Sequence, residues 1–187
     1  MSPEAALEAL LAGNRRFVSG EGNWREHDLA ALKERAAMMQ EPFACVLSCA
    51  DSRVPVELVF DQSIGHIFVT RVAGNIVTPE ILGSLEFGAL VLGAKVILVM
   101  GHVRCGAVKA ALDGAPVPGM IGSLFPYLQP AVDQAGQDCE AAIRINAKLQ
   151  AAILMESSPV LAGLMRQGKL KVAAAVYDIA TGEVALV

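Results

Sequence analysis

Two segments of this chain carry residue types suited to metal chemistry. Cys49-Ala50-Asp51-Ser52-Arg53 follows the apolar run FACVLS, and His102-Val103-Arg104-Cys105 follows KVILVMG. Thiolate and imidazole are the ligands zinc prefers, and three protein ligands leave the fourth tetrahedral position open for water. Cys49, His102 and Cys105 make up such a set. A His and a Cys three apart at a strand-to-helix corner can both turn to one ion. Cys105 would also stand at a helix N-terminus, where the dipole favours its thiolate form. Taken singly, each residue has a plainer reading. A cysteine in an apolar strand is usually a small core residue, and a lone buried histidine is a structural hydrogen-bonding group. The joint pattern at two strand ends is far less expected by accident and brings the metal reading level with the plainer one.

Asp51 and Arg53 add a second layer. Two residues apart on an extended or turn segment, they can pair directly. A carboxylate beside a metal can accept a hydrogen bond from a water there, or ligate the metal itself when water is absent. An arginine fork would fix its direction and keep it ionised. On an open surface the same pair would be an ordinary ion pair worth little.

The elements that must position these residues are legible as runs and breaks. Residues 43–47 (FACVL) read as a strand covered on both faces, 67–70 (IFVT) as a second strand, 95–100 (KVILVM) as a third, buried one and 171–177 as a fourth. Residues 184–187 read as a short edge strand after the Thr181-Gly182 turn. Ser2-Pro3-Glu4 and Thr78-Pro79-Glu80 are helix starts, predicting helices over 2–18 and from 79 to about 92. A second N-terminal helix is expected over 28–39, and another from Gly106. The span 54–60 is ambiguous. Long helical patterns over 121–165 are expected to break at Pro126, Pro130 and Pro159.

Strands alternating with helices give an α/β fold: a mostly parallel four-stranded sheet flanked by helices, with the short C-terminal edge strand and an N-terminal helical arm. The chain reads as a single domain over 1–187, with the arm at 1–40 and the α/β core at 42–187. Sites in such sheets form at the carboxyl ends of strands, where both chemical segments fall.

Composition narrows the partners. The 187 residues are 54% hydrophobic and 18% charged, ample for a core and unlike a disordered chain. The net charge of -4, from 15 Lys+Arg against 19 Asp+Glu, argues against nucleic acid. The most apolar region, 85–101, contains Glu86, Lys95 and three glycines, so it falls short of a clean membrane span of about 20 apolar residues. The Met-Ser-Pro-Glu start has neither the basic nor the apolar region of a signal peptide. The four cysteines (Cys45, Cys49, Cys105, Cys139) form no Cys-x-x-Cys pair and are too few for a disulfide framework. A reducing, cytoplasmic setting is expected.

Cys49-Ala50-Asp51-Ser52-Arg53, Arg71-Val72-Ala73-Gly74-Asn75 and Gly101-His102-Val103-Arg104-Cys105-Gly106 together resemble the β-class carbonic anhydrases. The resemblance is strong over 42–112 and looser elsewhere. It implies one zinc per chain held by Cys49, His102 and Cys105, with Asp51 and Arg53 as a catalytic dyad. It implies reversible hydration of carbon dioxide to bicarbonate and a proton, by a zinc-bound hydroxide that Asp51 orients. It also implies a homodimer or dimer of dimers, with active sites near the subunit interface and N-terminal helices wrapping the partner. By spacing within the family, Gln40 would hydrogen-bond substrate, Phe68 would line an apolar pocket, and the Gly106 N–H would bind a bicarbonate oxygen. Phe87 and Val54 would complete the carbon dioxide pocket.

Three departures matter. Phe87 stands where the family often has Tyr, so the role of that hydroxyl is lost. The family's Cys-Gly-Gly is Cys105-Gly106-Ala107, which keeps the first glycine. Val46 replaces a Trp around which one branch builds a regulatory bicarbonate pocket, so that regulation is not expected. Two other functions remain open: hydrolysis of CS2 or COS on the same fold, and a zinc- or bicarbonate-binding module without turnover. Cys45 and Cys139 read as structural, and His27 and His66 as surface or capping residues before proton shuttles.

Overall fold

The computed structural model describes residues 1–22 and 40–187. The expected second N-terminal helix and His27 lie outside the described residues. Helix α1 (Pro3–Ser19) begins as its sequence dictates: Ser2 accepts the Ala5 N–H at 3.2 Å, with Pro3 in the first turn. It stops at Gly20, whose φ of 74° carries the left-handed C-cap.

The sheet has five strands in the order β2-β1-β3-β4-β5: β1 (Ala44–Ser48), β2 (Ile67–Arg71), β3 (Val96–His102), β4 (Lys171–Tyr177) and β5 (Val184–Leu186). The first four are parallel and β5 returns antiparallel against β4. Every residue of β1 and β3 is buried, because helices cover both faces. On one face Cys45, Leu47, Ile97 and Val99 meet most of the helices; on the other Val46, Leu98 and Met100 meet Leu7 and Leu10 of α1 and the short helix α2 (Val56–Val59). The ambiguous 54–60 segment is thus helical, and Val54 is fully buried in that second core.

Helix α3 (Pro79–Glu86) starts at the Thr78 cap, but its expected regular course to residue 92 widens into a π-helical turn at Phe87–Val91. The turn backs onto β1: a Cβ on Gly88 would sit 2.5 Å from Cys45 Sγ, so only glycine fits. Beyond β3 come α4 (Gly106–Asp113), a 3-10 turn (Gly119–Leu124), α5 (Phe125–Ala135), α6 (Cys139–Ser157) and α7 (Pro159–Arg166). Pro126 and Pro159 start helices, as prolines in a first turn do. Pro130 does not break its helix: it lies inside α5, where burial of Leu128, Ala131 and Val132 outweighs one lost backbone bond. The break comes at Gly136, and Asp138 caps α6 by accepting the Glu140 and Ala141 N–H groups. Among the described residues, no helix is long and apolar enough to cross a membrane.

Candidate metal centre

Strands β1 and β3 are hydrogen-bonded neighbours running the same way, so their carboxyl ends lie side by side. Cys49 is the first residue beyond β1, His102 is the last of β3, and Cys105 is the N-cap of α4. All three are buried, and one ligand atom from each lies within 4.8 Å of the others. Among the described residues this is the one His/Cys/Asp/Glu group that could hold a metal.

The donor chemistry fits a cation. His102 Nδ1 lies 2.9 Å from the Val103 carbonyl oxygen, which requires the proton on Nδ1. The lone pair of Nε2 then faces the two sulfurs. This buried atom has no hydrogen-bond partner among the described residues, a costly arrangement unless an ion takes the lone pair. The two thiols shift in opposite directions. Cys49 is pushed well below the usual thiol range, chiefly because the Cys105 S–H points at its sulfur, against the opposing effect of burial. The Gly74 N–H, 3.4 Å from Cys49 Sγ, adds to this. Cys105 is pushed up as the donor of that bond and by burial, while the Ala107 and Val108 N–H groups at the start of α4 act the other way. A dication held among these atoms would compete with protons for the two sulfurs.

Asp51 and Arg53 form the expected pair. Oδ1 accepts the Arg53 backbone N–H and Nε–H, both at 2.9 Å, and Oδ2 accepts from Nη2 at 2.7 Å. The Arg53 guanidinium holds the Asp51 carboxyl far below the usual carboxylate range. The Asp51 side chain is only 17% exposed, and its Oδ2 is 3.7 Å from His102 Nε2.

The turn that carries Asp51 is fastened by Arg71, whose Nε–H donates to the Cys49 carbonyl at 3.0 Å and whose Nη2 donates to the Asp51 carbonyl at 2.6 Å. The motif Arg71-Val72-Ala73-Gly74-Asn75 does not by itself assign Arg71 this task; the signal it offers is an arginine at the end of the strand beside the cysteine. Glu140 at the start of α6 was also missed. It accepts the N–H of Arg104, whose φ of 56° holds the sharp corner between His102 and Cys105.

The proposed substrate residues do not all gather here. Gly106 is exposed and opens α4, so its N–H has no intrahelical acceptor. Gln40 precedes the amino end of β1, opposite Cys49, and is exposed. Phe68 pairs in register with Cys45, four residues and so roughly 13 Å down the strand from Cys49. It meets Phe87 at 6.3 Å between ring centroids, and Phe87 is 46% exposed. Val54 is sealed in the other core and lines no open surface. His66 is exposed at the amino end of β2, away from the cluster.

Comparison with known proteins agrees with this geometry. The family model described as carbonic anhydrase matches residues 44–184. Carbonic anhydrase 2 of Mycobacterium tuberculosis is 34% identical over 195 aligned residues, covering 99% of this chain and 93% of that protein. The carbonic anhydrase of Mycolicibacterium smegmatis is 36% identical, with 99% and 93% covered. The structure of the Coccomyxa β-carbonic anhydrase in complex with acetazolamide superposes with a TM-score of 0.76 at 29% identity, covering 88% of this chain and 82% of that one. The shared sheet, the metal-ligand cluster and the end-to-end likeness to these relatives have one common account: the chain belongs to the β-carbonic anhydrase family.

Proposed function

We propose that the protein hydrates carbon dioxide reversibly to bicarbonate and a proton, with one zinc per chain held by Cys49, His102 and Cys105. The observation that carries this is the buried pair of thiols with an unpartnered imidazole nitrogen, beside a carboxylate locked in ionised form. Zinc, when bound, supplies a Lewis acid that makes water a nucleophile near neutral pH.

The chain's own groups supply the rest. Asp51, unable to take up a proton at working pH, accepts a hydrogen bond from the nucleophile's O–H and turns an oxygen lone pair toward carbon dioxide. Arg53 holds that carboxylate in place. The Gly106 N–H, at the positive end of α4, meets the charge that develops on a substrate oxygen.

Gln40, Phe68 and Phe87 act at a site completed by a second copy of the chain, as a homodimer or dimer of dimers. Two features support this. Gln40 sits at the far end of β1 from its own Cys49, and Phe87, Leu90 and Val91 of the π-helical turn are 46%, 57% and 62% exposed in the single chain.

The test is stopped-flow carbon dioxide hydration by zinc-loaded protein at alkaline pH, with Cys49→Ala as the blank. A rate well above the blank is expected. No rate, with one zinc per chain still bound, would overturn the reading and favour CS2 or COS hydrolysis or a closed site.

A further inference from the structure

Helix α6 reaches the metal cluster through two buried amides that the chemistry above does not use. Asn146 and Gln150, four apart and so on one helix face, are each 1% exposed. Gln150 Oε1 accepts the Val77 N–H at 2.8 Å, and its Nε2 donates to the Tyr127 carbonyl and to Asn146 Oδ1, both at 3.1 Å. Asn146 Nδ2 donates to the Gly74 carbonyl at 2.9 Å. Gly74 in turn points its own N–H at Cys49 Sγ, 3.4 Å away. One residue thus stands between the amide of Asn146 and a ligand sulfur.

The loop needs this hold. Gly74 and Asn75 have φ of 79° and 45°, two consecutive residues in the left-handed region, and Asn75 pays a steric penalty there. The Asn75 N–H holds the loop from one side on the Val72 carbonyl at 2.9 Å; the Asn146 amide is the hold on the Gly74 carbonyl itself, and without it the Gly74 peptide can shift relative to the sulfur. We infer that Asn146 is a positioning residue for the metal centre: through Gly74 it keeps an N–H on Cys49 Sγ and so tunes the ligand's strength. An N–H donor on a thiolate draws charge off the sulfur, which then donates less to the cation, leaving a stronger Lewis acid. This rests on the carbonic anhydrase reading only for its kinetic consequence; its spectroscopic consequence stands without it.

The experiment compares wild type with Asn146→Ala and with Asn146→Asp, which keeps the size and the acceptor for Gln150 but lacks the donor. Cobalt(II) loading reads the sulfur-to-metal charge-transfer band. Loading with a spin-half cadmium isotope reads the scalar coupling between the Gly74 amide proton and the metal across the N–H···S bond. The expected result is a measurable coupling in wild type that is lost in the variants, with the charge-transfer band moved to longer wavelength. Zinc affinity should not fall, since the sulfur that loses its donor gives more charge to the cation, and the pH-rate profile should move to higher pH, with KM for bicarbonate unchanged.

A band, a coupling and a pH profile all unchanged, with only thermal stability lowered, would overturn the inference and leave Asn146 as a packing residue. Should Asn146→Ala fail to fold, Asn146→Asp decides. Should both fail to fold, Asn146→Ser takes their place, and absence of the Gly74 coupling in wild type overturns the inference by itself. Wild type that shows coupling but no carbon dioxide hydration would sink the proposed activity and not this one.

Discussion

His102 Nε2 stands 3.7 Å from Asp51 Oδ2, while the other ring nitrogen is engaged by the Val103 carbonyl. Burial works against a charged imidazole, yet the Cys49 sulfur and the Asp51 carboxylate together raise the His102 pKa, so this corner favours positive charge, which a metal cation would also supply. Asp51 therefore stands beside the ligand cluster, and Arg53 holds its two oxygens in a fixed fork.

Asp51→Ala should keep one zinc per chain, because the Cys49, His102 and Cys105 set stays whole. Its turnover should drop by about 10–100-fold, the range found when partners around a metal's ligands are removed. Metal analysis beside stopped-flow kinetics checks both halves. Full activity in the substituted protein would remove Asp51 from the reaction.

The pH dependence follows from charge. Two thiolates neutralise a dication, whereas three imidazoles would leave it doubly charged, so the water of this site should ionise above the value of about 7 seen in all-histidine sites. Activity should rise on the alkaline side. Asp51 does not set that limb: its carboxyl is held low, chiefly by the Arg53 guanidinium, so it is ionised well below neutrality. Its contribution to stability is fully present above the ordinary carboxylate pKa of about 3.9 and is lost as pH falls toward its lowered folded value. Arg53→Met should raise the Asp51 pKa and move the acid-side loss of activity upward. A profile flat from mildly acid to alkaline pH contradicts the ligand-charge argument.

Thiol reactivity should separate the four cysteines. Cys45 is fully buried and burial pushes its thiol up to about 12, so it should resist alkylation until the protein unfolds. Cys139 at the start of α6 is partly exposed and should react first in zinc-loaded protein. Removal of the metal by a chelator should add Cys49, whose ionisation the structure favours. Peptide mapping by mass spectrometry after timed alkylation gives the order; early modification of Cys45 would contradict the packing described.

Gly88→Ala should destabilise the protein by roughly 1–3 kcal/mol, since its Cβ would lie 2.5 Å from Cys45 Sγ and 3.2 Å from the Phe68 ring. Cys45→Ala removes the sulfur and should recover part of the loss in the double variant. Urea denaturation of the four proteins gives the coupling. Additive effects would place the strain elsewhere in the π-helical turn.

The amino-acid sequence by itself determined the parts whose physics is local. Continuous apolar runs mark strands buried on both faces, and Ser2-Pro3 and Thr78-Pro79 carry their own capping chemistry. Cys49, His102 and Cys105 were legible from type and strand-end position only as one of two readings, and the family resemblance selected the metal; Asp51 and Arg53 were legible because two residues of separation suffice for a fork.

Tertiary structure alone decided what depends on which segments become neighbours. The adjacency of β1 and β3 brings the two ligand segments together. Val54, placed beside the dyad by sequence, is turned into the opposite core by the start of α2. Gln40 and Phe68 lie away from their own metal cluster because a parallel strand separates its two ends by its full length. Pro130 stays within α5 because packing of a helix face overrides a local helix breaker. The clamp of Asn146 on Gly74 joins residues 72 positions apart. No periodicity in either segment records that contact, since buried amides are placed by the groups they satisfy and not by a pattern of their own.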